Sequence, residues 1–354
     1  MSSDKTFMHQ LFFVTILVHA VRFHSCEIGS CTSEIRGLAV IFRHGDRAPI
    51  SPFPCDLNAT NFQRDWPDGA GRLTERGHQR MIRLGYLLRQ EYEDFFTKEK
   101  KAEVHVRSAD ISRCIDSATD FVKGIGQEAN GMVIDKEMLS FPQPGLHFPL
   151  IRQIIQSTSF RRIMLKADFL LSKLEITSNS SLFQFFKMWE FADNVIIQKL
   201  QNKKLPDWIT DQLLWKVEQF HRKAFKSLTS HKVMQRMLTG LLYQHISNRF
   251  SQQELDDSLI SPLLIYSTQD VIVKALLHTL GYGDSNVLPP FASAIVMELH
   301  QDVANRRFYM LPYYTDDVSR LRKRILMPAT YGFGSLCDME SLYGTTANMT
   351  QGKI

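Results

Sequence analysis

The apolar positions of this chain change period along its length, and that change divides it into strands and helices. Leu38-Ala39-Val40-Ile41-Phe42 runs without a polar interruption, which predicts a strand covered on both faces, as in a parallel sheet. Leu263-Leu264-Ile265-Tyr266 repeats the pattern. Glu103-Val104-His105-Val106 alternates polar and apolar and reads as a short strand ending at Arg107-Ser108-Ala109-Asp110. Ile295–Leu299 alternates as well, and Phe308-Tyr309-Met310-Leu311 predicts a last strand. Elsewhere the period lengthens. Met81, Leu84, Leu88, Tyr92 and Phe95 recur at steps of three and four, one face of a helix capped by Thr74 and running to about Phe96. Val271–Leu280 predicts a helix that Gly281 stops.

From about Leu150 to Phe250 the pattern is helical throughout. Phe160–Leu174, Leu182–Leu200, Asp207–Leu228 and Val233–Arg249 follow one another, parted by Ser/Asn or Lys-Pro breaks. The expected fold is therefore α/β, with a central mostly parallel sheet flanked by helices and an inserted, mainly helical cap subdomain. Residues 33–150 and 251–342 would form the core and 151–250 the cap. Trp189 and Trp208, inside the cap, are read as packing residues.

Chemistry gathers at the strand ends, where open α/β sheets bind ligands. Directly behind the first buried run stands Arg43-His44-Gly45-Asp46-Arg47-Ala48-Pro49. Two guanidiniums offer planar, permanently charged forks suited to a phosphate. The same charges disfavour a protonated imidazole between them, so His44 is expected to be neutral and nucleophilic. Gly45 lets the backbone approach a ligand closely. Asp46 is expected to anchor an arginine or the backbone instead of doing chemistry. The strand at 263–266 ends in Ser267-Thr268-Gln269-Asp270.

Composition adds bounds. The chain has 354 residues, 44% hydrophobic and 22% charged, enough for a full core and ordinary for a globular protein. A net charge of +5 is mild and its cations are scattered, so nucleic acid is not an expected partner. Lys5 precedes the apolar block Leu11–Ala20. That block is too short for a bilayer, which needs about 20 residues, and suits a signal peptide over residues 1–25. No later stretch reads as a membrane span. Of Cys26, Cys31, Cys55, Cys114 and Cys337, four could form two disulfides in three connectivities in an oxidising compartment, with the fifth trimmed or free. Asn58, Asn179 and Asn348 begin Asn-x-Ser/Thr triplets that fit a secreted glycoprotein. No cofactor or metal is expected, since no zinc-like spacing is present.

The run Arg43–Pro49 behind a buried strand resembles the signature of the histidine acid phosphatases, in the branch of the prostatic and lysosomal enzymes. Gly71–Gly77, Arg107-Ser108, Leu205-Pro206-Asp207-Trp208 and Leu288–Ser293 resemble further segments of that family. The resemblance spans roughly Ile35 to Leu342, dense at the strand ends and thin through the cap. It implies a secreted or lysosomal enzyme that hydrolyses phosphate monoesters at acid pH through a phosphohistidine. By the same resemblance His44 is the nucleophile and Asp270 the proton donor, while Arg43, Arg47, Arg107 and Gln269 bind the phosphate. The partner is a phosphate monoester, small or protein-borne; a homodimer stays open.

Two departures from the family matter. It carries His-Asp where this chain has Gln269-Asp270. An amide keeps a hydrogen bond but no charge, a loss of about 1–2 kcal/mol, or roughly ten- to thirty-fold in rate. The segment between Met132 and Pro149 is also shorter than its family counterpart. With the family's usual cysteines missing, these sustain an alternative expectation, a catalytically inactive member that binds anions or a protein partner.

Overall fold

A computed structural model describes residues 33–53, 56, 62–98, 103–140, 144–174, 176, 178, 180–256, 262–282, 288–316, 325–326 and 337–338. The expected signal segment, Cys26, Cys31, Cys55 and the three triplet asparagines lie outside the described residues. The strands are β1 (Ser33–Arg43), β2 (Glu103–Ala109), β3 (Val133–Asp135), β4 (Pro262–Thr268), β5 (Ala294–Asp302), β6 (Phe308–Thr315), β7 (Ile325–Leu326) and β8 (Cys337–Asp338). Before β3 come α1 (Phe62–Asp65), α2 (Glu75–Glu91), α3 (Glu93–Lys98) and α4 (Ser112–Gly124). Between β3 and β4 lie α5 (Pro144–Gln156), α6 (Thr158–Ala167), α7 (Phe169–Lys173), α8 (Ser181–Leu200), α9 (Asp211–Thr229) and α10 (Lys232–Leu255), and α11 (Asp270–Thr279) follows β4.

The sheet order is β3-β2-β4-β1-β5-β6-β7, with β8 also on β6. Pairing is parallel from β3 to β1 and antiparallel from β1 onward. The sheet is thus mixed: the parallel half expected from the apolar runs exists, and an antiparallel half of similar width adjoins it. Within β1 the side chains alternate between two cores. Leu38, Val40 and Phe42 pack with Met81, Leu84, Phe121 and Val122 of α2 and α4. Ala39 and Ile41 join the opposite cluster, which includes Phe185, Val217, Phe250 and Ile272. Both faces being covered, all five residues of that run are fully buried. A polar residue at any of them would need a partner neither core offers.

Helices of the 151–250 insertion share that second cluster with the sheet, and insertion and sheet belong to one compact unit. Hydroxyl caps start four of the helices: Thr74 accepts from Gly77, Ser157 from Phe160, Ser180 from Phe183 and Thr210 from Leu213. The helix expected from Thr74 to Phe96 is broken at Tyr92, whose backbone leaves the helical region (φ −111°, ψ 34°). The Tyr92 hydroxyl donates to Glu298 of β5 at 2.5 Å, so a tertiary bond interrupts an otherwise continuous amphipathic pattern. Among the described residues no helix is long and apolar enough to cross a membrane.

Candidate active site

The parallel register aligns Phe42 with Ser267 and Arg43 with Thr268, so β1 and β4 end side by side. The chain turns away there under backbone control. His44 N–H donates to the Thr268 carbonyl (3.1 Å), and the His44 carbonyl accepts from Ala292 N–H (3.1 Å). The turn then presses against α2. A Cβ on Gly45 would lie 2.5 Å from the Gly77 carbonyl oxygen, and one on Gly77 would lie 2.1 Å from that of Asp46, so glycine is required at both positions by contact. Asp46 is buried and engaged by Arg80 (2.9 Å) and Arg76 (3.4 Å). Its role is the anchoring one expected.

His44 is held in one tautomer. Nδ1 lies 2.9 Å from the Gly45 carbonyl oxygen, which can only accept; Arg113 Nε–H donates to Nε2 at 3.1 Å. The proton is on Nδ1 and the lone pair on Nε2. Burial pushes the His44 pKa well below its usual value, and the charges of Arg113, Arg43 and Arg47 push it further. Both influences favour the neutral ring.

Three guanidiniums surround it. Arg43 donates to the Pro289 carbonyl (2.6 Å), pairs with Asp270 (2.9 Å) and stacks 4.0 Å above the Phe291 ring. Arg47 pairs through one nitrogen with both oxygens of Asp193 (2.9 and 3.0 Å). Arg113 reaches His44 and, at 3.5 Å, the Gln269 side-chain oxygen. The Nε–H groups of Arg43 and Arg47 are buried without a hydrogen-bond partner, free donors of the kind an anion would take up.

Of the residues expected from the sequence, the structure brings together Arg43, His44, Arg47, Gln269 and Asp270. Arg107 is not among them. It lies two residues before β2 ends, opposite Tyr266, and its guanidinium pairs with Asp135 at the end of β3 (3.2 Å). The strand's alternation directs it along a face of the sheet instead of past the end. The third guanidinium beside His44 is Arg113, in the first turn of α4. Its signal was available: a residue in the first turn of a helix that follows a sheet strand sits at the strand's carboxyl end, as Asp270 does in α11. Asp193 had no such signal, because it reaches the site from the middle of α8. Burial tends to raise the Asp193 pKa, but Arg47 and His221 outweigh it and hold the carboxyl below the usual carboxylate range.

One turn along α8 from Asp193, a cleft of about 460 Å³ opens between the helix and the Ser51–Phe53 stretch, lined also by Phe183, Lys187, Glu190 and Phe191. Ser51 donates to Glu190 (2.5 Å), and Asn194 donates to the Ser51 carbonyl. The two tryptophans of the cap pack as expected: Trp189 against Phe225 and His221, Trp208 against Phe191.

Residues 34–153, which carry both the Arg43–Pro49 run and Arg113, match the histidine phosphatase superfamily (branch 2). Over that segment the chain is similar to the superfamily, and its curated relatives include acid phosphatases. Testicular acid phosphatase of Mus musculus is 28% identical over 74% of this chain and 66% of its own length. Prostatic acid phosphatase of Homo sapiens is 25% identical over 87% of this chain and 83% of its own. The fold is shared with Hafnia alvei phytase, with a TM-score of 0.60 at 15% identity over 90% of this chain and 97% of that one.

Proposed function

We propose that the protein is an acid phosphatase, secreted or lysosomal, that hydrolyses phosphate monoesters through a phosphohistidine on His44. The observation that carries the reading is the fixed tautomer: a neutral ring with its Nδ1 proton tied to Gly45 and its Nε2 lone pair set among three guanidiniums. In the first step Nε2 attacks phosphorus, the ester P–O bond breaks, and the leaving oxygen takes a proton from the Asp270 carboxyl. In the second, water attacks the phosphoryl group, Asp270 recovers a proton from it, the P–N bond breaks and phosphate leaves. Arg43, Arg47 and Arg113 neutralise charge on the transferring group, the dominant contribution in phosphoryl transfer. Asp270, held by Arg43 at 2.9 Å, is the proton donor of the first step.

Phosphate has to displace two existing contacts, Arg113 from Nε2 and Asp193 from Arg47. Gln269 lies within the group and supplies an amide, so turnover is attenuated and not lost; Gln269→His should raise it roughly ten- to thirty-fold. The direct test is phosphate release from an aryl phosphate across pH 3–8 (about the range in which carboxyl and imidazole groups titrate), with acid-labile phosphohistidine trapped by rapid mixing and seen by phosphorus NMR. Turnover with an intermediate that His44→Ala abolishes is expected. Phosphate binding without turnover, in both the parent and Gln269→His, would instead make the protein an anion binder.

A further inference from the structure

The cap carries a buried histidine that packing alone does not account for. His221 lies in the middle of α9, 6% exposed, its ring 4.7 Å from that of Trp189 on α8. Its Nδ1 is buried without a hydrogen-bond partner. A buried imidazole nitrogen left unpaired is costly, and its neighbours Trp189 and Phe225 would accommodate an apolar side chain without that cost.

Its helix neighbours carry charged groups of the site. Trp189 stands one turn before Asp193 on α8, and Asp193 holds Arg47. Helix α9 also packs against α11, whose first residue is Asp270. Helix α9 therefore touches both helices that deliver the two carboxylates of the site. Asp193 and Asp270 both act on it electrostatically, as do Arg43 and Arg47 from β1 and the turn behind it. Burial is the largest influence and lowers its pKa, and the carboxylates oppose that. On its own helix Arg222 is turned to Glu218 (3.7 Å).

Resting on the phosphatase reading above, we infer that His221 is a second imidazole of the phosphate site, lowered from the cap to donate a hydrogen bond to an oxygen of the bound phosphoryl group. This gives the cap a direct part in holding substrate. It also supplies a ring N–H at a pocket where residue 269 offers only an amide, whose oxygen is turned to Arg113. An incoming phosphate dianion favours the protonated ring, so binding takes up a proton as the pH falls.

Two substitutions separate donor from filler: His221→Asn keeps an N–H near the Nδ1 position, and His221→Leu keeps apolar volume and removes every donor. The readouts are the affinity for inorganic phosphate by calorimetry at pH 5, turnover of an aryl phosphate, and the imidazole titration of the full chain by NMR. His221→Leu should weaken phosphate binding about ten-fold or more, the loss of one hydrogen bond to a charged group, with His221→Asn within about three-fold of the parent. In the parent, the ring signal that both variants lack should titrate at higher pH when phosphate is present. Equal phosphate affinity in His221→Leu and the parent, or a ring titration that phosphate leaves in place, would overturn the inference while the parent's turnover kept the phosphatase reading intact. A parent that neither turns over nor binds phosphate would remove both.

Discussion

Two buried histidines stand at opposite ends of β1, and their hydrogen bonds differ in kind. His300, paired opposite Ile35 near the start of β1, has both ring nitrogens committed. Ser33 Oγ meets Nδ1 at 3.0 Å and Glu298 meets Nε2 at 2.8 Å. The other Glu298 oxygen accepts from Tyr92 (2.5 Å), and the ring stacks on Tyr309. His44, just past the other end, has one nitrogen fixed by a carbonyl and the other held only by Arg113. The arginines beside it keep buried N–H groups with no partner. A buried polar cluster satisfied on every side stabilises the fold; one whose members keep open donors, as Arg43 and Arg47 do beside His44, is suited to a ligand. Accessibility alone would not separate them, since both rings are buried.

The largest effect expected from this contrast is on turnover. His44→Ala should lower phosphate release on the order of 10³-fold or more, as loss of a nucleophile does, whereas His300→Ala should leave the rate per folded molecule within a few-fold. A His300→Ala enzyme that folds and is as dead as His44→Ala would break the comparison. Arg113→Gln comes next, with a loss of about 10²–10³ in kcat from a donor aimed at the transferring group. Arg107→Gln, whose guanidinium is turned to Asp135, should cost only a few-fold. Arg113 also helps hold the His44 pKa down. Its removal should therefore raise that pKa toward the usual imidazole value and move the acid limb of kcat/KM to higher pH. An acid limb left in place would show that burial alone keeps the ring neutral.

At the other end of the strand the expected effect is on stability. Glu298→Gln replaces a carboxylate that serves two buried partners. About 1–3 kcal/mol of stability should be lost, read from chemical unfolding, with the pH profile of turnover unchanged. A shifted profile would join the two ends electrostatically, which the separate networks do not support.

The contrast also explains what could be read from the sequence. Leu38–Phe42 and Leu263–Tyr266 were legible as strands, because a doubly buried strand writes an unbroken apolar run, and their parallel register brings the residues that follow them side by side. Asp46 was legible for the same reason. Arg107 was misplaced because strand length decides whether a side chain lies along the sheet or beyond it, and β2 continues to Ala109. Asp193 and His221 were hidden. They sit mid-helix, and nothing local distinguishes a helix face turned to a core from one turned to a site. The parallel half of the sheet followed from its apolar runs, while the antiparallel half rests on pairings between β1, β5 and β6 that no local pattern encodes.

A third histidine tests whether a depressed pKa by itself marks a site. His245, on α10, is lowered to about 4, by burial first and then by Arg107 and Arg249, with Asp135 opposing. Yet its Nδ1 is hydrogen-bonded to the Tyr266 hydroxyl (2.8 Å), so it belongs with His300 as a structural group. Between its folded value of about 4 and the unfolded value near ~6.5, the unfolded chain binds a proton that the folded chain refuses. Stability associated with the neutral ring is therefore fully present above pH ~6.5 and is lost as the pH falls through that window. His245→Gln should leave the melting temperature less sensitive to pH between about 6.5 and 4, by a small margin because the ring is only half-buried and partly screened. Turnover should not change. An unaltered slope would mean the ring is not held neutral, and a large loss of turnover would move His245 into the same class as His44.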